Sequence, residues 1–150
     1  AQTLQLRHRF GLGLLNDAQQ LAVGGDELYA CDTGNGNHRL QVFSLTGEHR
    51  RSIVGEWRSP ERLRFAKDRL YLVEQDPEDE DEDDTADPFQ GRRILVLSLQ
   101  GDILQVFTHP TEPTAVFTSI CCSDHKLLAS YRYTESAGTP SSWIIALRGL

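Results

Sequence analysis

The chain has 150 residues, 39% of them hydrophobic, which suits one domain with its own core and is too apolar for a disordered chain. No run of about 18 apolar residues is present to cross a membrane, and the first residues lack the charged-then-apolar order of a secretory signal. The net charge of −7 is concentrated: nine acids lie between Asp76 and Asp87, and the other 13 acids against 15 Lys and Arg leave the remainder at +2.

Taken in order, Leu4 to Phe10 alternates weakly, is rich in charge and ends at Gly11, as an exposed edge strand does. From Asp17 to Asp32 two short β-prone runs flank the turn Gly24-Gly25-Asp26. A Gly/Asn-rich loop, Thr33 to Asn37, leads to a third run, Leu40 to Leu45, and Glu48 to Val54 supplies a fourth. The stretch Ser59 to Glu74 then repeats Asp17 to Asp32 without a gap, placing Leu63 on Leu21, Leu70 on Leu28 and Tyr71 on Tyr29. Its third strand returns at Arg93 to Gly101, after an acidic insertion over residues 75–91. A third copy is looser, with Pro113 matched to Pro60, Val116 to Leu63 and Leu127-Leu128 to Leu70-Tyr71, about four extra residues near Cys121 to Asp124 being taken up in a longer turn. A Thr/Ser/Gly/Pro segment, Tyr133 to Ser142, precedes its third strand, Trp143 to Leu147, and no fourth strand follows.

No segment keeps helical apolar spacing over 11 positions, so strand and loop are expected throughout. A four-stranded unit recurring at about 42 residues predicts an all-β fold, a β-propeller of antiparallel blades. The ring is incomplete in this chain, at about 3 to 3.5 blades: residues 1–11 form the last strand of a preceding blade, and 15–55, 57–109 and 110–150 form the units. Asp32 and the string Asn37-His38-Arg39-Leu40-Gln41-Val42-Phe43, preceded by Leu28-Tyr29, resemble the NHL-repeat family of β-propellers, with Asp32 and Arg39 two residues further apart than in the family pattern. That resemblance implies an NHL-type propeller segment over 1–150.

Asp32 and Arg39 are expected to pair structurally across the hairpin, with the Asn residues closing the loop. Glu74 with Arg92 or Arg93 could repeat that pairing. Binding residues on the variable-loop face are expected among Asn35, Asn37, His38, Arg92, Arg93 and Tyr133, since length variation in repeat proteins collects on one face. No catalytic residue, metal ligand or cofactor is expected: the five histidines are scattered, Cys31 sits mid-strand, and no phosphate loop or nucleophile motif occurs. The acidic stretch Asp76 to Asp87 reads as a solvated loop, not a calcium loop.

The function expected is a non-catalytic module that binds another protein. Single-stranded RNA binding, which the resemblance permits, and a metal-dependent lyase or hydrolase of propeller type are the alternatives. The open ring predicts completion by a homodimer, by a longer chain or by an assembly, with no membrane contact. The odd count of three cysteines, with no pattern of paired disulfides, predicts a reducing, intracellular location, the cytoplasm.

Overall fold

Tight turns between strands fall on residues with a left-handed backbone, Gly25, Gly47 and Gly101 among them. Lys67 and Asp68, at φ 49° and 55°, make a two-residue turn whose twist matches that of the strands it joins. The computed structural model describes residues 3–76, 87–123, 126–134, 138 and 140–148. Among them stand three antiparallel sheets and a single 3-10 turn, Gly34–Gly36. The first sheet consists of β1 (Ala18–Gly24), β2 (Glu27–Asp32), β3 (Arg39–Ser44) and β4 (His49–Val54), in that order. The second consists of β5 (Pro60–Ala66), β6 (Arg69–Glu74), β7 (Arg93–Leu97) and β8 (Ile103–Thr108). The third has three strands, β9 (Val116–Cys122), β10 (Lys126–Thr134) and β11 (Pro140–Arg148). No helix among the described residues is long and apolar enough to cross a membrane.

The register repeats with the sequence. Ala22 lies opposite Tyr29 as Arg64 lies opposite Tyr71, and Val23 opposite Leu28 as Phe65 opposite Leu70. Because neighbours on a strand point to opposite faces, β6 sends Leu70 and Leu72 toward the first sheet and Tyr71 and Val73 toward the third. The first interface also buries Tyr29, Leu40 and Trp57, and the second buries Phe117, Ile120 and Leu127. Phe65 of the second sheet lies against Gly24, where a Cβ would collide with its ring, so the two sheets approach closely only because that position has no side chain.

The middle sheet is covered on both faces and the outer two on one. Leu63 is fully buried, whereas Leu21, its counterpart in the first sheet, is 55% exposed. Ile94 is fully buried, whereas Ile144, at the matching position of the third sheet, is 78% exposed. The N-terminal segment lies over part of the first sheet's outer face, with Phe10 against Phe43 at 5.5 Å between ring centroids.

Three expectations change. Leu4 to Phe10 is not a strand: no strand edge stands beside it among the described residues, and Leu4 and Leu6 are exposed. In the third unit Ile120, opposite Ala129, takes the place of Leu63, opposite Leu72. β9 therefore sits four residues later than the sequence match of Val116 to Leu63 implied, and the extra residues precede it. The hairpin after it is short, as Ser123 N–H donates to Lys126 O at 2.9 Å. The acidic stretch is not solvated at its ends, because Asp76 is buried and Asp87 pairs with Arg93 at 2.9 Å. Its middle, 77–86, lies outside the described residues.

At the start of β2, Glu27 accepts from Arg51, Arg50 and the Tyr29 hydroxyl. The Arg51 guanidinium above all holds its carboxyl down at about 2, against an ordinary 4.5. A carboxyl lowered by folding adds stability that is complete above about pH 5 and is lost as pH falls toward 2. Glu27→Gln should therefore be less stable than the parent at pH 7 and lose less stability between pH 5 and pH 2.5. Urea midpoints across that range check this, and parallel pH profiles for the two proteins would refute it.

Candidate binding site

The end of the sheets that carries the β2–β3, β6–β7 and β10–β11 connections is built on two buried carboxylates. Asp32 and Glu74 are fully buried at the last positions of β2 and β6, a costly placement unless each charge is met. Arg39 Nε donates to Asp32 at 2.7 Å. Arg93 meets Glu74 with two donors, Nε at 2.8 Å and Nη2 at 2.9 Å. Each carboxylate also accepts a backbone N–H from the segment before the first strand of its sheet, Asn16 to Asp32 at 2.6 Å and Arg58 to Glu74 at 2.9 Å. One acid thus ties together the first three strands of a sheet. In the third sheet the register puts Tyr131 opposite Trp143 at that place, and the Tyr131 ring packs on His109 at 4.3 Å.

These pairs absorb several of the residues that the sequence marked for binding. Asn37 Nδ2 donates to Asp32 at 3.2 Å, and Arg93 is held by Glu74 and Asp87. His38 Nδ1 accepts the Ser59 N–H at 2.9 Å, closing the junction between the first and second sheets. Asn35 stands exposed at the loop tip with φ 54°.

Arg92 and Tyr133 behave differently, since the structure brings them to one cavity of about 260 Å³ between the second and third sheets. Arg132, Asp76, Thr114 and Val116 complete its wall. Arg132 pairs with the buried Asp76 at 2.5 Å. Arg92 precedes the clamped Arg93 as His38 precedes Arg39, but it is a donor where His38 is an acceptor. It gives the fold one long hydrogen bond, Nη1 to Pro88 O at 3.3 Å, and its buried Nε has no partner among the described residues. An adjoining recess brings in Arg62, which pairs with Glu61 at 3.0 Å and donates to Thr118 O. Arg132, Asp76 and Thr114 were not marked by the sequence. Asp76 was masked by the acid run that follows it, and Arg132 by the loose third repeat.

Cys31 is fully buried, and desolvation pushes its thiol up to about 12, which removes it from thiolate chemistry. Among the described residues no three His, Cys, Asp or Glu side chains come together to hold a metal ion.

No protein-family model matches this chain, and no curated protein matches it. Among the solved structures that do, hydrazine synthase of Kuenenia stuttgartiensis superposes with a TM-score of 0.61 at 9% identity, over 83% of this chain and 36% of that one. Similarity at that identity concerns the fold alone. The chain spans about a third of that protein's length.

Removing one partner of a buried, hydrogen-bonded ion pair strands the other, so Glu74→Ala should cost about 3 kcal/mol or more in urea unfolding. A cost under about 1 kcal/mol, in the range of an ordinary surface change, would show that the clamp does not hold the second sheet.

Proposed function

We propose that the chain is a segment of an NHL-type β-propeller, its three sheets being consecutive blades, and that it is a non-catalytic module binding another protein at the hairpin-loop end. The cavity between the second and third sheets carries this reading. It is the place on that end where arginine and tyrosine side chains surround space, while the polar residues of the first two hairpins are engaged within the fold. Repeat proteins that vary their connections on one face commonly bind there. RNA binding is less well supported, because among the described residues Tyr133 is the one aromatic side chain in that cavity's wall on which a base could stack.

The two open faces support the propeller part of the reading. Leu21 and Val23 on one side, and Leu128 and Ile144 on the other, occupy positions whose counterparts in the middle sheet are covered. What covers them is a further blade, from a second copy of this chain or from flanking sequence in a longer polypeptide. A head-to-tail pair of three-bladed chains closes as a six-bladed ring of two-fold symmetry.

Light scattering separates these cases. A particle of twice 16.9 kDa is expected if copies close the ring, and poorly dispersed material if flanking sequence is required. A monodisperse monomer that melts cooperatively overturns the propeller reading.

For the binding face, a photo-crosslinking residue placed at Phe89 or Thr134, on the loop end, should give a discrete protein adduct in cells. The same residue at Lys67, in the turn at the opposite end, should not. Adducts from both ends or from neither overturn the assignment of the face, and adducts to RNA overturn the choice of partner.

A further inference from the structure

We propose that residues Leu4 to Phe10 of one copy of this chain pair with the open edge of β11 in a second copy, each copy supplying the fourth strand of the other's third sheet. This rests on the reading of the chain as a propeller segment and commits its open ends to a second copy.

The N-terminal segment already holds the place of a preceding sheet's last strand. Ahead of the second sheet, the Arg58 N–H donates to Glu74 and Trp57 is buried in the interface. Ile53 of β4 lies against the turn at Gly101, where a Cβ would collide with it, and a Cβ at Gly55 would collide with Trp57. Ahead of the first sheet the same contacts recur. The Asn16 N–H donates to Asp32, and Leu15 and Phe10 line a groove beside Phe43 on the sheet's outer face. A Cβ at Gly47 would collide with Phe10, and one at Gly11 with Leu15. Gly47 and Gly101 close the same turn, each donating its N–H to the oxygen of a serine, Ser44 and Ser98. Phe10 thus stands to the first sheet as Ile53 stands to the second.

What differs is the strand alongside. Ile53 lies opposite Leu40 of β3 and is buried, whereas Phe10 is 40% exposed. Phe107 of β8 lies likewise opposite Ile94 of β7. At the matching place of the third sheet is Ile144, also exposed, on a strand that has a partner on one side only among the described residues. The surplus before the first sheet and the deficit in the third are therefore the same element. An unpaired edge of this kind accepts an extended segment through main-chain hydrogen bonds. The register of the other two sheets puts Phe10 opposite Ile144 and, past the bulge that β4 and β8 share, Leu6 opposite Leu147. Phe10 and Ile144 then share a face, as Ile53 and Leu40 do in the first interface. Rings of such sheets need about four or more, so three sheets do not bring the segment round to its own β11. Two copies do, and the exchange leaves neither with a spare strand or an open β11 edge.

The test uses full-length chain with Cys121→Ser and Cys122→Ser, the buried Cys31 being left in place. One batch carries Phe10→Cys and a second, with a different tag, Ile144→Cys. Facing residues on antiparallel strands have Cα atoms about 4.5 to 5.5 Å apart, within reach of a disulfide. Mixed under mild oxidation, the two batches should give a covalent heterodimer. Leu4→Cys in place of Phe10→Cys lies about 20 Å along the strand and should give none. In light scattering the parent should run at twice 16.9 kDa, and deleting residues 1–10 should abolish that particle. A dimer that survives the deletion, or that links Leu4→Cys as readily as Phe10→Cys, overturns the strand exchange while leaving the propeller reading in place. A chain carrying both Phe10→Cys and Ile144→Cys that closes a disulfide within itself overturns the second copy as the donor. A poorly dispersed parent does so too, in favour of flanking sequence. A monodisperse, cooperatively melting monomer removes this proposal and the propeller reading together.

Discussion

A carboxylate buried at the end of a second strand is the constraint on which the first two sheets depend. Asp32 and Glu74 have no contact with solvent, and each would be strongly destabilising if left with its charge unmet. The arginine that meets the charge is the first residue of the third strand, and the backbone N–H that completes it comes from just before the first strand. Satisfying one group therefore fixes where three strands begin or end. A slip of one residue would turn every side chain of a strand to the wrong face and also break this clamp. Connections between the second and third strands can then vary in length, from the short loop after Asp32 to the long insertion after Glu74, without disturbing the strands on either side.

Where the acid is absent, the sheet is held by other means. Tyr131 and Trp143 occupy the positions of the clamp in the third sheet, and Tyr131 packs among His109, Phe117 and Tyr133. Aromatic packing supplies apolar contact but fewer directional demands than a bidentate ion pair. That difference also explains how much of the fold could be read from the amino acids. The first and second units share residue types at a fixed spacing because the same clamp and the same two-sided packing act on both. Tyr29 with Tyr71 and Leu28 with Leu70 follow directly.

In the third unit the clamp no longer marks the alignment. Apolar alternation has a period of two, so a strand can be moved by four residues and keep its pattern. Matching Val116 to Leu63 in place of Ile120 was an error of that kind. The N-terminal segment misled for a related reason. Leu4 to Phe10 has the composition of an edge strand, but a strand exists only beside a partner, and in this chain Phe10 turns onto Phe43 instead. For the site, the sequence marked Arg92 and Tyr133, which the structure brings to one cavity. It could not reveal that Asn37, His38 and Arg93 would be used up within the fold, because that depends on contacts 5 to 21 residues away in sequence.

The two inter-sheet junctions show how a repeat can keep its architecture and acquire a cavity. Both have a residue immediately before the clamped arginine, facing the start of the next sheet. In the first junction it is His38, whose ring nitrogen accepts a backbone N–H and so makes the junction self-sufficient. In the second it is Arg92, which has donors only and cannot serve a backbone N–H. The buried Nε of Arg92 has no partner among the described residues, and a cavity of about 260 Å³ opens between the second and third sheets, although β9 keeps the register that β5 has. Asp76 and Arg132 pair in the wall of that cavity at 2.5 Å. A donor thus stands at one junction where the other has an acceptor, and the clamp beside each keeps the strands in register in both.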